Sequence, residues 1–171
     1  MCASTVSADL GRRAVKTELI GHYGHTWRML DGIVKDFDED SWLHTGRGAI
    51  TPARTALHIL QGVKYYMEDS TTVAFASGRA FDCSWQTANP DELPSQGDVL
   101  ACSCALKART EEWISAIDLD AENESFDWTG TTKFSVVMFL LRHSLYHMGE
   151  LSSLLNESKH GEAEDNWCKA L

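Results

Sequence analysis

The segment LLRHSLYHMGELSSLL, residues 140–155, carries two histidines four positions apart in a run that otherwise reads as the apolar face of a helix. On a helix, His143 and His147 have Cβ atoms about 6 Å apart, close enough for both imidazoles to reach one ion at about 2.1 Å. Measured from Leu140, His147 points about 20° away and His143 about 60° away, within the stripe of Val136, Val137, Leu151 and Leu154. The chemistry such a pair offers is metal ligation. The alternative is a pair of core histidines, each hydrogen-bonded locally, but two desolvated rings on one stripe then each need a partner. Glu150, three residues past His147, lies near the same edge. It is a candidate catalytic residue: a further ligand, an acceptor behind the ring, or a proton shuttle.

A third ligand would decide between these readings, and three histidines compete for the place. His58 lies roughly opposite the main aliphatic stripe of its own helix, one turn before Gly62, whose missing side chain would leave room beneath the ring. That position is less awkward if the helix is covered on both sides, because Ile59, Tyr65 and Tyr66 make its second face far from polar. His22 sits at the margin of its helical stripe and His25 well outside it. Periodicity alone therefore ranks His22 slightly above His58.

Four helices must hold these residues. Strand signals are almost absent, whereas apolar positions recur at helical spacing in four stretches. The first covers residues 9–37, with Val15, Leu19, Tyr23, Trp27, Leu30, Ile33, Val34 and Phe37 on one stripe. The second starts at ITPARTALHIL, where Thr51 reads as the N-cap and Pro52 suits the first helical position. The third spans residues 94–117, with Val99, Cys102, Leu106, Trp113 and Ile117 in line, and the fourth spans residues 132–156. An irregular segment from Asp69 to Leu93, punctuated by Gly78, Asn89 and Pro90, separates the second from the third. The economical fold class is all-α, a four-helix bundle in a single domain over residues 1–171. Its connections are long compared with the ~2–8 residues of simple bundles, and they are expected to frame a pocket at one end.

Bulk properties narrow the function. A net charge of −10 and scattered basic residues argue against a nucleic-acid partner, since phosphate neutralisation needs a Lys/Arg patch. The acidic run DFDED, residues 36–40, reads as a solvated loop. The opening residues lack the basic and apolar regions of a secretory signal, and VVMFLL is far too short to span a membrane. Five cysteines without regular spacing fit a reduced, cytoplasmic protein. Cys102 and Cys104 diverge by about 200° on a helix and cannot clasp one ion together. Trp27, Trp113 and Trp128 are the tryptophans expected nearest a site, and His44 is expected to be exposed. A ferritin-like di-iron oxidase can be set aside: its two ExxH motifs are missing, the sole ExxH being ESKH at residues 157–160, past the fourth helix.

The succession of TPARTALHIL and RHSLYHMGEL, with an irregular middle between them, resembles the DinB/YfiT-like superfamily along the whole chain. The resemblance implies a four-helix bundle with one histidine on the second helix and an HxxxH pair on the fourth. It implies a divalent metal, nickel or zinc, on His58, His143 and His147 with open positions left to water, and so favours His58 over His22. It also implies a homodimer, which would account for the second apolar face of the second helix. Glu150 stands where many relatives carry Gln. Characterised members of the family are similar to thiol-dependent transferases and isomerases that use bacillithiol, mycothiol or glutathione, and others to hydrolases.

Three neutral imidazoles leave an ion its full charge and an open position, the arrangement of a catalytic rather than a structural site. Such an ion lowers the pKa of water to about 7 or activates a thiolate. The expectation is a metal-dependent enzyme, which the resemblance implies transfers a low-molecular-weight thiol to a small electrophile, or a related hydrolase. The competing expectation is a non-catalytic bundle that holds metal for storage, sensing or stability, without a deep pocket. Imidazoles of ordinary pKa are expected to protonate and begin releasing an ion below about pH 6.

Overall fold

Helix forms wherever the helical spacing recurs. The structure, a computed structural model, describes residues 3–74, 80–166 and 170, with side chains from residue 10 onward. Its helices are α1 (Ala3–Asp36), α2 (Glu39–His44), α3 (Pro52–Glu68), α4 (Gln96–Ala116) and α5 (Lys133–Ser158). Two short strands, β1 (Val73–Ala74) and β2 (Ala80–Phe81), pair antiparallel with Val73 opposite Phe81 and Ala74 opposite Ala80. The fold is thus mostly helical with one minimal hairpin. Gly78, read above as a breaker, lies outside the described residues, as do Cys2 and Cys168.

The helix ends show where local chemistry agreed with the reading and where it did not. Ser95 caps α4 through a reciprocal pair with Asp98: the Ser95 side chain accepts from the Asp98 amide, and the Asp98 carboxylate accepts from the Ser95 amide. Thr51 occupies the cap position of α3 in extended geometry, but its buried hydroxyl makes no capping hydrogen bond. Pro52 instead starts the helix through its fixed φ. The acidic run is not merely solvated loop. Asp38 accepts from the Ser41 amide and the Ser41 hydroxyl, both at 2.8 Å, and so caps α2, with Glu39 and Asp40 in the first turn. Those two hydrogen bonds hold the Asp38 carboxyl below the usual range. The ESKH segment also differs from expectation, since Glu157 and Ser158 still belong to α5 before Lys159 ends it.

Packing joins α1 to α4 and α5, and α3 to the same two helices, while α2 rests against α3. One apolar cluster runs through all of them, including Leu30, Ile33 and Val34 of α1, Leu57 and Leu60 of α3, Ile114 of α4 and Leu140 and Leu151 of α5. Each such side chain contributes about 1.5–3 kcal/mol by leaving water. Val15 departs from the expected stripe and is exposed, on a stretch of α1 where Lys16 donates to the Ser115 carbonyl at the end of α4 and Arg12 donates to Asp120 beyond it. Cys102 is buried and Cys104 exposed, as the helical geometry required, and burial pushes the Cys102 thiol up to about 11. No helix among the described residues is long and apolar enough to cross a membrane.

A buried hydroxyl ties α1 to α5. Tyr23 is 2% exposed, and its phenol donates to the Val137 carbonyl at 2.7 Å. Tyr23→Phe keeps the ring and removes only this bond, so chemical denaturation should show a loss of about 1 kcal/mol. An unchanged midpoint would mean that the bond contributes nothing.

The long connections are ordered by specific bonds. Asn123, buried in the segment before α5, donates to the carbonyls of Phe126 and Gly130, each at 2.7 Å. Between β2 and α4, residues 83–88 are fastened to α3. Arg54 donates to the carbonyls of Trp85 at 2.8 Å and Ala88 at 2.6 Å, and Gln61 donates to the carbonyl of Cys83 at 3.0 Å.

Candidate metal centre

Arg54, His58 and Gln61 share one face of α3 by helical spacing, and that face looks toward α5 and the fastened segment. On α5, Leu140, Leu151 and Met148 are fully buried, while His143 and His147 lie half-buried at the flank of the same stripe. The close packing of α3 on α5 therefore brings His58 against both. His58, His143 and His147 each offer one nitrogen, and the three nitrogens lie within 4.8 Å of one another. The ring centroids are 4.9 Å apart for His58 and His143, 4.4 Å for His58 and His147, and 4.6 Å for His143 and His147.

Chemically the set fits a divalent ion. The Nε2 atoms of His58 and His143 are 3.1 Å apart. Two ligand nitrogens at about 2.05 Å from a tetrahedral ion would be separated by about 3.3 Å. Without an ion, that spacing needs one ring to donate and the other to accept. His143 Nδ1 is buried and has no hydrogen-bond partner. His147 Nδ1 meets Glu150 Oε2 at 2.7 Å, which leaves Nε2 as its free nitrogen. Glu150 thus stands behind the His147 ring, outside the three-nitrogen cluster.

Burial sets the protonation state. His58 is held down to about 4, chiefly because it is withdrawn from water and then by the neighbouring imidazoles. His143 is also pushed down to about 4 by burial and by His147, against the opposing pull of the Glu150 carboxylate. Both are neutral donors at physiological pH, so their protonation moves well below the expected pH 6 threshold. The consequence for stability has a definite sign. In the unfolded chain these rings take up protons near pH 6.5, but in the fold only near pH 4, so the unfolded chain binds more protons between the two. Stability of the metal-free protein should fall as pH drops from about 6.5 to about 4 and then level off for these groups. Because both rings keep some contact with water, the total loss is about 1–2 kcal/mol, well under full linkage. Urea midpoints measured at intervals from pH 7 to 4 check this, and a flat profile contradicts it.

Aromatic rings frame the three histidines. Trp85 packs on His58 with centroids 4.4 Å apart and planes 33° apart, Phe139 stacks near His143 at 6.1 Å, and Tyr146 meets His147 edge-on at 5.0 Å. Trp85 was not among the tryptophans expected here. Trp27 is buried in the core, Trp113 lines another cleft, and Trp128 is exposed and donates to the Tyr66 hydroxyl at 3.3 Å. Gly62 makes room for a ring, but for that of His143 rather than His58: a Cβ there would lie 2.9 Å from His143 Cε1.

His22 and His25 take no part in the cluster. Both line a cleft of about 630 Å³ between α1, α4 and α5, where Arg28 donates to His25 Nδ1 at 2.9 Å. His44 is exposed beside Asp40, as expected. A second cleft, of about 380 Å³, is lined by Tyr66, Trp113, Phe126 and Lys133. Neither cleft includes His58, His143 or His147 in its walls. Searches of protein-family models, curated proteins and solved structures returned no match to this chain.

Proposed function

We propose that this protein is a divalent-metal-dependent enzyme, with His58, His143 and His147 as the ligands of nickel or zinc. The observation that carries the reading is the convergence of three imidazole nitrogens from two helices within 4.8 Å. In this reading the helices form a four-helix bundle of the DinB/YfiT-like kind, acting in the cytoplasm as a homodimer with a small-molecule substrate. When bound, the ion supplies Lewis-acid activation of a thiol or of water. The resemblance to that family favours S-transfer from a low-molecular-weight thiol to a small electrophile, or a related hydrolysis. The chain's own residues keep His58 and His143 neutral by burial, and Glu150 orients His147 by accepting from its Nδ1–H.

A second reading has an observation of its own. The clefts of about 630, 590 and 380 Å³ all lie away from the histidines, which favours a bundle that holds metal without turning over a substrate. One experiment separates the readings. Gently purified protein is assayed for metal content, then screened against electrophile–thiol pairs with and without a chelator. The enzyme reading expects about one ion per chain and turnover that chelation abolishes. Metal without turnover, together with a sharp fall in thermal stability on chelation, supports the storage or structural reading. Protein that takes up no metal removes both.

A further inference from the structure

The segment carrying Trp85 is built onto the site. Arg54 lies one turn before His58 on α3 and Gln61 nearly one turn after it, and together they bond the carbonyls of Cys83, Trp85 and Ala88. Three hydrogen bonds from residues on either side of a ligand fix the strap across that ligand. Their effect is to hold the indole against His58, 4.4 Å between centroids. Across the cluster, Tyr146 borders His147 and is 67% exposed, leaving an aromatic edge open to an incoming molecule. The charged groups bonded to the site and its strap are both engaged: Arg54 with two carbonyls, Glu150 with His147.

From this we infer that Trp85 is a specificity-determining wall, and that the molecule brought to the ion is small and uncharged with a flat apolar body, such as an aryl or conjugated group. The inference rests on the metal-dependent reading above and names its substrate class. A flat group laid against the indole gains stacking that an aliphatic group of the same chemistry does not, and a rigidly held ring offers it without first being ordered. Polar recognition is left to the ion.

Cobalt(II)-loaded protein tests this through the thiolate-to-cobalt absorption band, titrated with benzyl mercaptan and with 2-mercaptoethanol. The wild type should bind benzyl mercaptan about tenfold more tightly. Trp85→Leu, which stays apolar but is not flat, should lose most of that preference while keeping its cobalt content and its affinity for 2-mercaptoethanol. Trp85→Phe should retain much of it. Arg54→Ala leaves the indole in the chain but frees the strap, and should lose the preference as Trp85→Leu does, so the outcome does not hang on one variant folding. Cobalt uptake with equal affinity for the two thiols, or a preference that survives both Trp85→Leu and Arg54→Ala, overturns the inference and leaves the metal reading standing. Failure of the wild type to take up cobalt overturns both.

Discussion

His143→Ala should leave the purified protein without stoichiometric metal, with affinity for zinc or nickel reduced by at least about 100-fold. His143 Nε2 is 3.1 Å from His58 Nε2, and its ring centroid is 4.6 Å from that of His147, so it is one corner of a compact triangle of donors. Without it, two imidazoles on different helices remain, and no neighbouring side chain among the described residues supplies a third donor. The variant should remain folded. His143 is half-buried at the edge of the core, whereas the fully buried residues of α5, such as Leu140 and Met148, stay in place. Competition with a calibrated chelator, alongside circular dichroism, measures affinity and fold separately. A folded variant with wild-type metal content would remove the ligand role of His143.

Glu150→Ala should weaken metal affinity by about 10- to 100-fold, the usual effect of removing the acceptor behind a ligating histidine. The carboxylate accepts from His147 Nδ1 at 2.7 Å, fixing the tautomer that presents Nε2 to the cluster. Glu150→Gln is the informative companion. Its amide oxygen still accepts from Nδ1–H, so it should keep most of the affinity, with a loss smaller than about tenfold. A proton shuttle predicts something else: both variants would keep their metal and lose turnover. Titrations of the two variants under identical conditions decide between the roles, and equal affinity in Glu150→Ala and wild type rules out orientation.

The sequence showed these residues unequally, for physical reasons. Spacing on a helix is regular, so the stripes of α1, α3 and α5, and the shared edge of His143, His147 and Glu150, could be read from the order of residues alone. His58 could not, because it lies off the aliphatic stripe of its helix. Its place is set by how α3 packs on α5, which periodicity within one helix does not encode. Trp85 carried no signal at all, lying in an irregular segment whose path depends on hydrogen bonds from Arg54 and Gln61 to backbone carbonyls. Buried Gln61 was the readable hint, since a polar side chain among Leu57, Leu60 and Val63 needs a partner. The α2 helix was missed because its cap, Asp38, sits in a run that charge alone classed as loop.

X-ray absorption at the metal edge of zinc-loaded protein at neutral pH tests the central claim most directly, because it counts and identifies the atoms around the ion. The account predicts three imidazole nitrogens at about 2.0–2.1 Å, falling to two in His58→Ala. A spectrum dominated by sulfur, or one with no imidazole scattering in the wild type, would contradict it.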